Sequence, residues 1–96
     1  MAKKSYVRGG RTCRVTFELP PQVQASQVVL LGEFTDWSAV PLEERKDGRF
    51  SVTLSLEARR SYRYRFLVDG SRWENDWQAD AYVANDFGGE DSLIAC

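Results

Sequence analysis

Histidine is missing altogether from this 96-residue chain, and no other feature of its composition removes as much chemistry. Nucleophilic Ser–His and Cys–His pairs are excluded, as are zinc sites built on imidazole. Cysteine is scarce: Cys13 and Cys96 stand toward opposite ends, with neither metal-ligand spacing nor a C-x-x-C redox arrangement. In a cytoplasmic protein both are thiols by default, and a bridge between them requires the terminal strands to lie side by side. Long apolar runs are absent too. No stretch approaches the roughly 18 apolar residues of a membrane-spanning helix, and the opening MAKKSYVRGG has no apolar signal core. A cytoplasmic chain without a membrane partner is expected. Nor does one sign of charge prevail: 13 basic against 14 acidic residues leave a net charge of −1 and no global attraction to nucleic acid.

What is present has the composition of one ordinary globular domain, 43% hydrophobic and 28% charged. Aromatics reach 12%, including three Trp, which is heavy for so short a chain. The charges are unevenly placed. Lys3, Lys4, Arg8, Arg11 and Arg14 precede the first acid, Glu18, whereas Glu74, Asp76, Asp80, Asp86, Glu90 and Asp91 follow Arg72 with no further base. We read residues 1–10 as a flexible basic arm, solvated and attracted to the chain's own acidic stretch rather than to an external polyanion, and 11–96 as a single domain.

Period-two alternation dominates that domain. Cys13, Val15, Phe17 and Leu19 alternate with Arg14, Thr16 and Glu18; Phe50, Val52, Leu54 and Leu56 alternate with Ser51, Thr53 and Ser55. Tyr62, Tyr64, Phe66 and Val68 alternate with Arg63, Arg65 and Leu67. Such runs are half-buried strands with one wet face. Val28 to Leu31 is apolar on both faces and reads as a central strand or one with a covered outer face. Pro20-Pro21, Asp47-Gly48, Asp69-Gly70 and Gly88-Gly89 supply turns between the runs, and no helical stripe of about ten residues or more appears. The fold predicted is an all-β, immunoglobulin-like antiparallel β-sandwich, with a compact barrel as the alternative. Its expected core is Val15, Phe17, Leu30, Phe50, Val52, Leu54, Tyr64, Phe66 and Val68.

Hydrolysis of a sugar bond needs paired carboxylates in a cleft, and a sandwich this small has convex faces, so catalysis is not expected. Tyr62-Arg63-Tyr64-Arg65-Phe66 interleaves rings with bases, as nucleic-acid platforms do, but the alternation turns its rings inward. The tryptophans differ. Trp37 sits at the polar exit of a strand, and Trp73 and Trp77 lie among polar neighbours past the Asp69-Gly70 turn. Large aromatics in loops are tucked in or used.

Several segments bear a closer likeness. Val28-Val29-Leu30-Leu31-Gly32-Glu33-Phe34-Thr35-Asp36-Trp37, the Pro41-Leu42 that follows, Tyr64-Arg65-Phe66-Leu67-Val68-Asp69-Gly70 with Trp73, and Asn85 to Ser92 occur in that order. From Val28 to Ile94 the chain resembles family-48 carbohydrate-binding modules. These include the glycogen-binding domain of AMP-activated protein kinase β subunits and the N-terminal early-set domains of isoamylases. The resemblance implies non-catalytic binding of α-1,4-linked glucan, such as glycogen or maltooligosaccharide, without a cofactor. It places the two sugar-holding rings at Trp37 and Trp73, the basic donor at Arg65, a loop Leu position at Phe87 and a loop Asn position at Asp91. Gly89 and Asp91 depart from the Thr and Asn of the family loop. Trp77 has no counterpart and either extends the platform or plugs the sandwich edge. A glycogen-metabolism enzyme or a kinase subunit in trans is the protein partner implied; the alternative is a structural or interaction domain whose sugar site has decayed.

Overall fold

A computed structural model of the chain describes residues 2–96 and resolves the alternation into two antiparallel sheets. The first contains β1 (Ala2–Val7), β2 (Thr12–Leu19), β5 (Glu43–Glu44) and β6 (Phe50–Glu57), in the order β1-β2-β6-β5. The second contains β3 (Val28–Gly32), β4 (Val40–Pro41), β7 (Ser61–Val68), β8 (Arg72–Glu74), β9 (Ala81–Ala84) and β10 (Glu90–Ala95). Its order is β4-β3-β7-β10-β9, with β8 also paired to β7. The molecule is an immunoglobulin-like antiparallel sandwich and not a closed barrel. Among the described residues no helix is long and apolar enough to cross a membrane.

The inward faces are those the alternation marks. Cys13, Val15, Phe17 and Leu19 of β2 are buried with Tyr62, Tyr64, Phe66 and Val68 of β7. At the centre, Tyr64 meets Phe17 edge-on at 5.1 Å and Phe66 at 5.9 Å. Such pairs contribute about 0.5–1.5 kcal/mol each beyond their buried area. Of the expected core, Val52 and Leu54 are only half-buried. They face inward on β6, but β5 covers that strand's outer edge only at Phe50 and Ser51, so water reaches the pair from the side.

Strand β7 organises the second sheet. One edge pairs with β3 from Tyr64 to Val68; the other is shared, by β10 from Ser61 to Tyr64 and by β8 from Phe66 to Val68. The handover falls at Arg65. Residues 69–71 connect β7 to β8. In the turn closed by the Ser71 N–H, which donates to the Val68 carbonyl at 3.2 Å, the two central residues Asp69 and Gly70 both have positive φ (54° and 71°), as a primed turn demands.

The amino-terminal segment corrects the sequence reading. Ala2–Val7 is not a flexible arm but an edge strand, paired over its whole length with β2. Gly9 and Gly10, at φ 67° and 85°, make the reversal that the reading passed over. Attraction to the acidic stretch is real but local: Lys4 Nζ donates to Asp80 Oδ2 and to the Ala95 carbonyl, both at 2.9 Å, and Tyr6 Oη donates to the Cys96 carbonyl at 3.0 Å.

Candidate functional site

On the outer face of the second sheet, β7 presents Arg63, Arg65 and Leu67. Antiparallel partners share a face, so Leu31, opposite Arg65, and Trp73, opposite Leu67, point outward with them. Arg65 and Trp73 are diagonal neighbours, and the guanidinium carbon lies 5.2 Å from the Trp73 ring centroid. The Arg65 Nε is buried and has no hydrogen-bond partner among the described residues. A buried donor with no acceptor costs about 1–3 kcal/mol and calls for an explanation.

Trp37 reaches the same face from the exit of β3. A short 3-10 turn, Glu33–Thr35, follows Gly32, where a Cβ would stand 2.7 Å from the Phe34 ring and 2.8 Å from the Arg63 carbonyl. Only glycine fits. Phe34 folds beneath it against Phe17 at 5.3 Å and Tyr62 at 5.8 Å. Asp36 and Trp37 then take positive φ (51° and 60°), a strained choice for a bulky ring. The turn is held by the Trp37 N–H, which donates to the Gly32 carbonyl at 2.9 Å, and by the Thr35 hydroxyl, 3.0 and 2.9 Å from the Gly32 and Ser38 carbonyls. The outcome is an indole left 41% exposed.

Trp73 is fixed from its other side. Just past β8, the Ser92 hydroxyl donates to Asn75 Oδ1 and accepts the Asp76 N–H, each at 2.9 Å, joining the end of β8 to β10 inside the fold. Asp76 is itself buried and receives the Tyr64 phenol at 2.7 Å. Burial and the neighbouring Asp76 carboxylate push the Tyr64 phenol far above its ordinary range.

The loop between β9 and β10 closes the third side. Asn85 Oδ1 accepts the N–H groups of Phe87 and Gly89, at 3.0 and 3.1 Å, and its amide donates to Asp91 Oδ1 at 3.1 Å. This one side chain shapes the turn and lifts Phe87 into solvent, 94% exposed. Asp91 is buried, and its other oxygen lies 3.8 Å from Arg63 Nη1.

Trp37, Arg65, Trp73, Phe87 and Asp91, the residues singled out from sequence, thus border one open groove of ≈ 780 Å³. Glu33, Arg63, Asn85 and Asp86 border it as well and were missed. Arg63 was within reach, since it shares the outward face of β7 with Arg65. The part of Asn85 lies in backbone bonds within an irregular loop, which no periodicity announces. Trp77 does not border the groove: its Nε1 donates to Glu74 Oε1 at 3.0 Å, and it is 51% exposed.

Two exposed indoles, a guanidinium between the strands and a polar rim suit a ring with apolar faces and hydroxyl edges. Among the described residues no His, Cys, Asp or Glu cluster could hold a metal ion. No curated protein matches the chain. Residues 13–92, from the second position of β2 to the third of β10, match the family described as the glycogen recognition site of AMP-activated protein kinase. That family is a non-catalytic binding module, and the match spans every element that borders the groove. The chain belongs to the carbohydrate-binding family of the AMP-activated protein kinase glycogen recognition site.

Proposed function

We propose that the groove is the glucan site, with Trp37 and Trp73 as a split platform for successive glucosyl units of an α-1,4-linked chain. The observation that carries this reading is the pair Arg65 and Trp73: a guanidinium with no protein acceptor at its Nε among the described residues, laid against an exposed indole, both bordering the groove. A pyranose suits the pair. Its C–H face packs on an indole, and a hydroxyl at its rim accepts from Arg65. Phe87 stands at the end of the groove as an apolar wedge. Asp91 holds Asn85 and Arg63 in place rather than offering a free acceptor. Bound in this way, the module acts in the cytoplasm to bring glycogen to a glycogen-metabolism enzyme or a kinase subunit in trans.

Affinity electrophoresis with and without glycogen, followed by calorimetry with maltoheptaose, tests the reading. Glycogen should retard the protein, and Arg65→Met, which keeps the stem and deletes the donors, should weaken binding by about 1 kcal/mol. Migration unaffected by glycogen, amylose and maltoheptaose alike would remove the proposal and leave the fold.

A further inference from the structure

We infer that the outward face and free edge of the β1–β2 hairpin form a docking surface for an acidic, extended segment of a partner protein, which adds to β1 as a further strand. Composition alone suggests that the basic amino-terminal residues are neutralised by the chain's own acids. The fold permits this for Lys4 only, whose ammonium is taken by Asp80 and Ala95. Lys3, Arg8, Arg11 and Arg14 are exposed, and among the described residues none of their side chains forms a hydrogen bond or an ion pair.

The register sets Lys3 and Arg14 on one sheet face, and Arg8 and Arg11 lie in the turn that joins the two strands. Lys3 stands opposite Thr16 and Thr16 opposite Thr53; in the next row Ser5 stands opposite Arg14 and Arg14 opposite Ser55. Arg14 is therefore flanked on both sides by small hydroxyl side chains that leave its guanidinium uncovered. Two open troughs, of ≈ 210 and ≈ 540 Å³, meet at Arg14 and run from Lys3 to Arg8 and Arg11. The carboxylates facing the same way are already engaged, Glu18 with Arg49 at 3.3 Å and Glu57 with Arg60 at 3.1 Å.

Edge and charge together identify the occupant. β1 ends its sheet, so among the described residues no strand pairs with its far side. A second copy of β1 is disfavoured, because the strand carries Lys3 and Lys4 and no acid, so pairing it with itself adds like charge and brings no carboxylate. An acidic strand meets the reverse situation: ladder bonds along β1, and Lys3 and Arg14 for the carboxylates that alternate onto the outer face. A net charge of −1 gives little long-range pull on nucleic acid or an anionic membrane, which favours a short partner read at close range. The surface lies across the sandwich from Trp37 and Trp73, so both sites can be filled together.

The test is fluorescence anisotropy of the intact chain with a labelled peptide of alternating Glu and Val at low salt. Saturable binding is expected, weakened about tenfold by Arg14→Gln, less by Lys3→Gln, and reversed as salt rises. Glycogen retention should be the same in Arg14→Gln as in the parent, which shows that the variant is folded. A peptide N-methylated along the edge that faces β1 keeps every carboxylate but cannot complete the ladder, and it should not bind. Equal binding of the methylated peptide, no binding of either peptide, or indifference to Arg14→Gln would overturn the inference. So would tighter binding of a single-stranded oligonucleotide or of phosphatidylserine vesicles.

Discussion

Arg65 and Trp73 meet across a strand boundary. The guanidinium carbon of one lies 5.2 Å over the ring of the other, where the edge of β7 passes from β10 to β8. Each restricts the other's orientation, so under the proposed reading neither has to be ordered at the moment of binding.

Trp73→Ala should therefore weaken maltoheptaose binding by roughly 1–2 kcal/mol, about tenfold or more, by losing a rigid face and loosening Arg65. The ring is 48% exposed, so the melting temperature should barely move. Trp77→Ala, removing an indole outside the groove, should leave calorimetric affinity unchanged. A variant at Trp73 that melts early and binds normally would mean that the ring serves the fold.

Gly32→Ala should destabilise by about 1–3 kcal/mol, because the added methyl drives into the Phe34 ring and the Arg63 carbonyl, neither of which can retreat without disturbing the core. Glucan affinity should fall with it, since the turn that presents Trp37 hangs on the Gly32 carbonyl. Chemical denaturation and calorimetry on the same preparation measure both effects.

Alkaline unfolding should report on Tyr64. Burial, with the adjacent Asp76 carboxylate, raises its folded pKa well above the value of about 10 found in unfolded chains. Above pH ~10 the unfolded state loses this proton while the folded state keeps it, so stability is whole below that point and declines as pH rises. The expected slope is about 1.4 kcal/mol per pH unit for this one group. Tyr64→Phe should flatten that limb, while costing about 1–3 kcal/mol at neutral pH because Asp76 loses a donor. An unchanged alkaline slope in the variant would show that other groups govern it.

The β1 strand yields a contrast in magnitude. Lys4 and Asp80 form a partly exposed pair, so Lys4→Met should cost no more than about 1 kcal/mol, and less at high salt. Burial acts against it, but the Ala95 N–H and Lys4 hold the Asp80 carboxyl below its usual range. The pair's contribution is present above the ordinary carboxylate pKa and lost as pH falls through the depressed one. Deleting residues 2–7 should cost on the order of 2–4 kcal/mol, or roughly 10–20 °C in Tm, since it removes a whole ladder rather than a pair of charges. Equal effects from the point variant and the deletion would mean that β1 is held by charge alone.

What could be read in advance follows from periodicity. β2 and β7 each bury every second residue, β6 follows the same alternation with Val52 and Leu54 half-buried, and Tyr64 and Phe66 lie inward as their alternation with Arg63 and Arg65 requires. β1 could not be recognised that way, because Lys3-Lys4-Ser5 is polar on both faces and the strand lies at the edge of its sheet. The two-residue strands Val40–Pro41 and Glu43–Glu44 are too short to carry any pattern. Of the residues that border the groove, Trp37, Arg65, Trp73, Phe87 and Asp91 were picked out through family likeness, and Arg65 also through its strand. Glu33 and Asn85 were not, since the one bonds the Arg63 N–H and the other shapes a loop, and such backbone bonds leave no trace in residue order.

The hydroxyl of Ser92, which welds the end of β8 to β10, works together with the strained turn under Trp37. One indole is pinned by a side-chain weld and the other by left-handed backbone, on opposite flanks of β7, so the gap between them is set before any ligand arrives. Under the proposed reading such a pair acts as a gauge and not as a clamp, and it should accept polymers whose natural bend spans the gap and reject straight ones. Maltohexaose should pass this gauge and cellohexaose, made of the same sugar joined into a flat ribbon, should fail it; equal affinity for the two would show that the rings move.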